Sequence, residues 1–252
     1  MPIRDYLVFF LVLTFTHFVR GVTGMGGVVL ALPVLSFFFP LSVLVPSLVA
    51  VGFLQSLWVA WFKRRDIDPA HAKAILALAL AGLPFGYLLY QRLPEEELKF
   101  LLGAIVALVA VWNLVRLRRE EAEAPAPRAV YYALNFMGGL VHGALASGGP
   151  FIVIYTARML RDKSAFRATL MLVWTVLDLA LMAGYTFHHS WNRNMVPLMA
   201  LALPTIVIGT ALGEYCHRRI PQKPFRLIIY LILLLSGLAL LKPLLQFLPW
   251  RT

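Results

Sequence analysis

Three ionisable side chains interrupt long apolar stretches of this sequence: Arg20 in FVRGVTGMGG, His142 in GLVHGALASGG and Asp178 in MLVWTVLDLALMAG. A charge held in hydrocarbon costs about 2.5 to 3.5 kcal/mol on insertion scales unless it meets a partner or a wet cavity, so such residues mark paths for ions, protons or solutes. Arg20 is read either as a side chain that snorkels to an interface or as a cation that attracts anions. His142 is either a packed, hydrogen-bonded histidine or a proton carrier and substrate donor. Asp178 is either a proton-coupling carboxylate or the structural partner of a buried donor.

Two of these residues border glycine-rich interruptions, Gly21 to Pro33 and Gly139 to Pro150. Glycine permits unusual backbone angles and close approach, and proline breaks the helical hydrogen-bond ladder. Backbone N–H groups freed at a helix start point outward with the positive end of the helix dipole behind them, and an anion satisfies them. The candidate substrate-binding residues are therefore Thr23, Gly24, Gly26 and Gly27 in the first interruption, and His142, Gly143, Ser147, Gly148 and Gly149 in the second. The competing reading is close helix packing of the small-xxx-small kind, which the Gly139 to Gly143 spacing fits.

The elements around these residues are set by composition. The 252 residues are 60% hydrophobic and only 14% charged, where a soluble domain carries about 25% charged residues. Apolar runs bounded by charge fall at 6–39, 43–62, 71–91, 98–117, 129–157, 166–187, 194–215 and 225–248. Most suit a single crossing of roughly 20 residues. The first and fifth are too long for one, and each reads as two short helices meeting at its glycines. The first five residues lack the basic region of a signal peptide, so the first stretch is expected to stay in the chain. Cys216 is the one cysteine, which excludes an internal disulfide and a Cys-Xaa-Xaa-Cys metal or redox pair.

Basic residues gather in four interhelical regions: Lys63, Arg64, Arg65 and Lys73; Arg116, Arg118, Arg119 and Arg128; Arg158, Arg161, Lys163 and Arg167; Arg218, Arg219, Lys223 and Arg226. Lysine and arginine accumulate in cytoplasmic loops. All four regions reach the cytoplasm only if 6–39 and 129–157 each return to the side they entered. The expected fold is thus an all-α polytopic membrane protein of two inverted-topology repeats, each a broken, re-entrant-like helix hairpin plus three transmembrane helices. Residues 1–121 form the first repeat, 122–128 a cytoplasmic linker and 129–252 the second repeat. Gly26-Gly27 matches Gly148-Gly149, Gln55 aligns with Asp178, and Pro84 with Pro204. Such inverted repeats bind solutes near the midplane, where helices are discontinuous. Glu214 is expected to anchor the end of its element or to pair with Arg218.

The segments GVTGMGGVVLALPVL and GLVHGALASGGPFIVIY resemble the two glycine-rich copies of the TauE/SafE family of sulfite exporter permeases, and the resemblance covers essentially the whole chain. It implies a secondary transporter in the cell inner (plasma) membrane for sulfite, a sulfonate or a related sulfur-containing or carboxylate anion, by passive or proton-linked flux. Family members commonly carry a richer GxGGG element; Met25-Gly-Gly-Val28 and Ser147-Gly-Gly-Pro150 each keep two consecutive glycines, which bears on the substrate class more than on the fold. The expected partners are a small inorganic or organic anion and membrane lipid, with self-association into a homo-oligomer left open. The net charge of +11 is spread over loops rather than over one soluble face, which argues against a nucleic-acid partner. No cofactor is expected, and no Walker-type loop points to direct ATP use. An anion channel of the same fold and a non-transporting scaffold are the alternatives. An enzyme would need a convergent nucleophile or metal set, which the adjacent His188 and His189 do not supply.

Overall fold

The computed structural model describes residues 3–24, 26–119, 127–160, 162–217 and scattered positions between 227 and 241. Nine α-helices and a short 3-10 turn lie in this range: α1 (Ile3–Thr23), α2 (Gly27–Leu35), α3 (Leu41–Phe62), the turn Arg64–Asp66, α4 (Pro69–Arg92), α5 (Glu95–Arg119), α6 (Arg128–Leu145), α7 (Gly149–Met159), α8 (Lys163–Phe187) and α9 (Met195–His217). Five of them, α1, α3, α4, α8 and α9, are long and apolar enough to cross a membrane. Apolar side chains such as Trp58, Phe85, Leu108, Phe187 and Val207 point outward, as a lipid-facing surface requires. The linker residues 122–126, Met25, Arg161 and the fourth basic region lie outside the described residues, as does most of the eighth apolar run. Within that run, Gly237 packs on Gly103 and Ala107 of α5.

Both overlong segments are broken at their glycines, but into unequal arms rather than two short ones. The 21 residues of α1 are followed by the 9 of α2, and the 18 of α6 by the 11 of α7. The asymmetry follows from where the glycines fall, late in each run. Each hairpin closes at its open end through aromatic contact: Phe9 meets Phe39 with ring centroids 5.6 Å apart, and Tyr131 meets Tyr155 at 5.7 Å. Both hairpins therefore return to the end of the bundle at which they began.

Charged contacts gather one end of the bundle. Glu214 near the end of α9 pairs with Arg167 of α8 at 2.6 Å and with Lys63 at the end of α3 at 3.3 Å, while Asp68 N–H donates to Thr169 Oγ1 at 2.9 Å. The 63–68 turn and the start of α8 thus share a face. Asp68 and Asp162 start α4 and α8 as N-caps, accepting from the backbone N–H of His71 at 3.0 Å and of Ala165 at 2.8 Å.

The largest helix contacts pair α4 with α6, α1 with α9, and α3 with α8. Exchanging α1 for α6, α3 for α8 and α4 for α9 turns this set into itself. Glycine makes the first two contacts close. A Cβ on Gly139 or Gly143 would overlap the carbonyl oxygens of Ala79 or Leu83 in α4, and one on Gly82 or Gly86 would overlap those of Phe136 or Leu140 in α6. At the other contact, Gly209 and Gly213 of α9 lie against Thr14, His17, Phe18 and Gly21 of α1. The small-xxx-small reading of Gly139 and Gly143 is therefore the structural role of those two residues, which sit in α6 ahead of the break.

Candidate functional site

The first break is made by Gly24 and Gly26, both in the left-handed region with φ of 79° and 91°. That conformation disfavours a Cβ by roughly 1–2 kcal/mol, which is why the break needs glycine there. The second break places Ala146 in the same region at φ 51°, its N–H held by the carbonyl of His142 at 2.7 Å. Gly27 and Gly149 then open α2 and α7.

The short arms meet over α3 and α8. Trp174 of α8 joins the two breaks: its indole N–H donates to Gly24 O at 3.3 Å, its ring stacks on His142 with centroids 5.7 Å apart, and its edge lies beside Gly149. One turn further along α8, Asp178 Oδ1 pairs with His142 Nε2 at 3.0 Å. Arg20 Nη2 donates to Ser56 Oγ of α3, and Ser56 donates in turn to Gly52 O at 2.7 Å. A Cβ on Gly52 would lie 3.1 Å from Arg20 Nη1 and 3.3 Å from Asp178 Oδ2, so the guanidinium and the carboxylate converge over that glycine.

All three ionisable residues are deep in the protein, with Arg20 5%, His142 3% and Asp178 2% exposed. This excludes the snorkelling reading of Arg20. The histidine and the aspartate are each other's partners, which unites two residues that the sequence left separate. A cavity of about 10 Å³ opens beside Arg20, bounded by His17, Gly27, Leu48 and Gly52, with room for about one water. His17 is held by Thr205 of α9 at 3.0 Å, and Gln55 by Thr210 at 2.9 Å, so α9 is tied to the centre by polar contacts.

The remaining candidates divide by position. Gly27 and Gly149 belong to the centre, the first against the Arg20 side chain and the second against Trp174 and Val29. Thr23 and Ser147 donate their hydroxyl protons to Val19 O and Leu145 O, at 2.8 and 2.9 Å, and so point them into their own backbone. Gly148 packs against the carbonyl of Gly138, which lets α7 fold back on α6. Gly24 and Gly26 shape the turn, and Gly143 faces α4.

Trp174, Ser56 and Gly52 escaped the sequence reading. Trp174 precedes Asp178 by four residues and Gly52 precedes Ser56 by four, spacings that put each pair on one helix face. The hydrogen bonds share a spacing that bears on the Gln55–Asp178 match. Arg20 to Ser56 and His142 to Asp178 both span 36 residues, and a shift of 122 carries the first pair onto the second. Under that shift Ser56, rather than Gln55, falls on Asp178; Gln55 points instead to α9, where it donates to Thr210.

Helices of membrane length folded around a buried charged centre between two broken hairpins have the build of a polytopic membrane transporter. The chain belongs to the sulfite exporter TauE/SafE family, whose model matches residues 9–240. It is similar to the probable inner membrane transporter protein TsaS of Comamonas testosteroni, 29% identical over 202 residues that make up 78% of each chain. No solved structure matches the chain.

Proposed function

We propose that this protein is a secondary transporter for a small anion, sulfite, a sulfonate or a related sulfur-containing or carboxylate anion, which binds beside Arg20 between the two breaks and moves with a proton carried by the Asp178–His142 pair. The observation that carries the reading is the convergence of Arg20 Nη1 and Asp178 Oδ2 over Gly52 while His142 holds the other carboxylate oxygen. In the empty protein the carboxylate is the counter-charge of the arginine. An arriving anion takes over that role, and a proton on the Asp178–His142 pair then relieves the repulsion between carboxylate and substrate. Loading of anion and proton are coupled because one guanidinium serves both negative groups in a place where water cannot screen them.

The exchangeable packing of α1 with α9 and α6 with α4 supports an inverted repeat, and with it alternating access by motion of one half against the other. The basic end around Lys63, Arg64 and Arg167 is assigned to the cytoplasm of a bacterial inner membrane by its charge. The test is uptake into proteoliposomes of sulfite, sulfoacetate, thiosulfate and acetate, with and without a pH gradient. The wild type should take up at least one of these anions and do so faster with an inward proton gradient. Asp178→Asn should retain flux that no longer responds to the gradient. Uptake equal to protein-free vesicles for all four anions removes the reading, and an unaltered gradient response in Asp178→Asn removes the proton carrier.

A further inference from the structure

Arg167 lies at the basic end of the molecule, where its side chain meets Gly24 of the first break. Its side chain is 6% exposed, and it spends a single guanidinium nitrogen, Nη1, on Glu214 Oε2 at 2.6 Å. Among the described residues its Nε and Nη2 have no hydrogen-bond partner although both are buried. An arginine with two inward donors unsatisfied is costly in a bundle interior, where unmade hydrogen bonds to charged groups carry the full desolvation penalty. The aliphatic part of the same side chain sits on the first break: a Cβ at Gly24 would be 3.1 Å from Arg167 Cγ. Glu214, which is half exposed and also pairs with Lys63 at 3.3 Å, is the only carboxylate among the described residues that pairs with this guanidinium.

We infer that Arg167 is a second anion-binding subsite, on the route between the basic end and the central site, with Nε and Nη2 as the donors for a small oxyanion and Glu214 as the tethered carboxylate that competes for the same guanidinium. Resting on the anion-transport reading, it adds a station that the central site does not require. The planar fork of arginine binds two oxygens of a sulfite or carboxylate group side by side. Glu214 offsets the guanidinium charge from its Nη1 side, and its exposure lets it swing away when a soluble anion arrives.

Equilibrium binding of radiolabelled sulfite to the purified full-length protein in detergent tests this. The wild type should bind two anions per chain. Arg167→Gln should lose one, Arg20→Gln should lose the other, and the double variant should bind none. Arg167→Lys should restore part of the affinity lost in Arg167→Gln. Glu214→Gln should tighten the anion that Arg167→Gln removes by about tenfold, because the built-in competitor is gone. A wild type that binds one sulfite, lost in Arg20→Gln and kept in Arg167→Gln, overturns the subsite and leaves the transport reading standing. A Glu214→Gln variant with unaltered or weaker binding also overturns it. Absence of any sulfite binding by the wild type overturns both the subsite and a sulfite-binding centre.

Discussion

The two breaks share a scaffold and differ in chemistry. Shifted by 122 positions, Arg20 becomes His142, Gly24 becomes Ala146, Gly27 becomes Gly149, Ser56 becomes Asp178 and Gly52 becomes Trp174. Each break thus presents a nitrogen side chain to an oxygen side chain on the neighbouring helix, across an equivalent spacing. The first offers a fixed guanidinium with a neutral hydroxyl; the second offers an imidazole with a carboxylate. The residue beneath each pair differs as well. Gly52 leaves space, and the small cavity lies on that side; Trp174 fills the corresponding space and stacks on the histidine. One break therefore has room and permanent charge, and the other is packed around a histidine–aspartate pair.

Exchange of roles is the most direct way to break this contrast. Arg20→Gln should lower anion uptake roughly 100-fold, since it removes a charge-assisted interaction that a neutral amide replaces poorly in a dry interior. His142→Gln should lower it far less and abolish the response to a pH gradient. Uptake in proteoliposomes at matched protein density measures both. Equal losses in the two variants, with equal gradient response, would show that the breaks are not specialised.

Next in size is the space over Gly52. Gly52→Ala inserts a methyl 3.1 Å from Arg20 Nη1 and 3.3 Å from Asp178 Oδ2, tighter than ordinary contacts. It should cut anion affinity by about tenfold, the worth of one weakened hydrogen bond to a charged group, while leaving the melting temperature in detergent close to wild type. Undiminished affinity would detach the cavity from the binding site.

The backbone of the breaks offers a sharper comparison. A Cβ on Gly148 would overlap the carbonyl of Gly138, although the φ of Gly148, −68°, suits any residue. At Gly26 the nearest atom to a Cβ is 3.4 Å away, but φ is 91°. The first is a packing restriction and the second a conformational one. Gly148→Ala should destabilise by about 2–3 kcal/mol, the upper part of the overpacking range, and Gly26→Ala by about 1 kcal/mol. Denaturant unfolding in detergent gives both values, and a reversed order would mean that α7 can move away from α6.

The frame was legible in the sequence because its signals are local. Excess length and late glycines announce the breaks, and charge clusters bound the helices to within a few residues. The centre was legible only in part. Arg20, His142 and Asp178 stand out against an apolar background, so their burial is visible in one dimension; which of them pair is not. Trp174 does not stand out in MLVWTVLDLA, because nothing in its neighbours tells that its ring joins the two breaks. Glu214 sits beside Arg218 in sequence and bonds across helices to Arg167 and Lys63, a choice made by the packing of α9 on α1 and α3. Thr23 at the end of α1 and Ser147 in the second break both turn their hydroxyl protons to a backbone carbonyl within reach, a local contact that the sequence does not show.

The smallest expected effect concerns the helix on which the second hairpin leans. Asp68 caps α4, whose glycine face carries α6, and its carboxyl is held below the usual carboxylate range, first by the backbone N–H of His71 and then by the His71 side chain. A folded-state value below the unfolded one, about 3.9, means that the charged cap stabilises fully above that pH and loses its contribution as pH falls through the lower folded value. The Asp68 side chain is a third exposed, so solvent screening keeps the effect slight. Asp68→Ala should therefore melt slightly below wild type at neutral pH, with the gap closing in acid below about pH 4, where the wild-type carboxylate takes up its proton. Asp68→Asn keeps an oxygen acceptor for His71 N–H and cannot ionise, so its melting temperature should lack that acid-dependent change. A thermal series in detergent distinguishes the cases. A gap between wild type and Asp68→Ala that stays constant into acid would assign the cap to the hydrogen bond alone and show that the charge of Asp68 adds nothing to it.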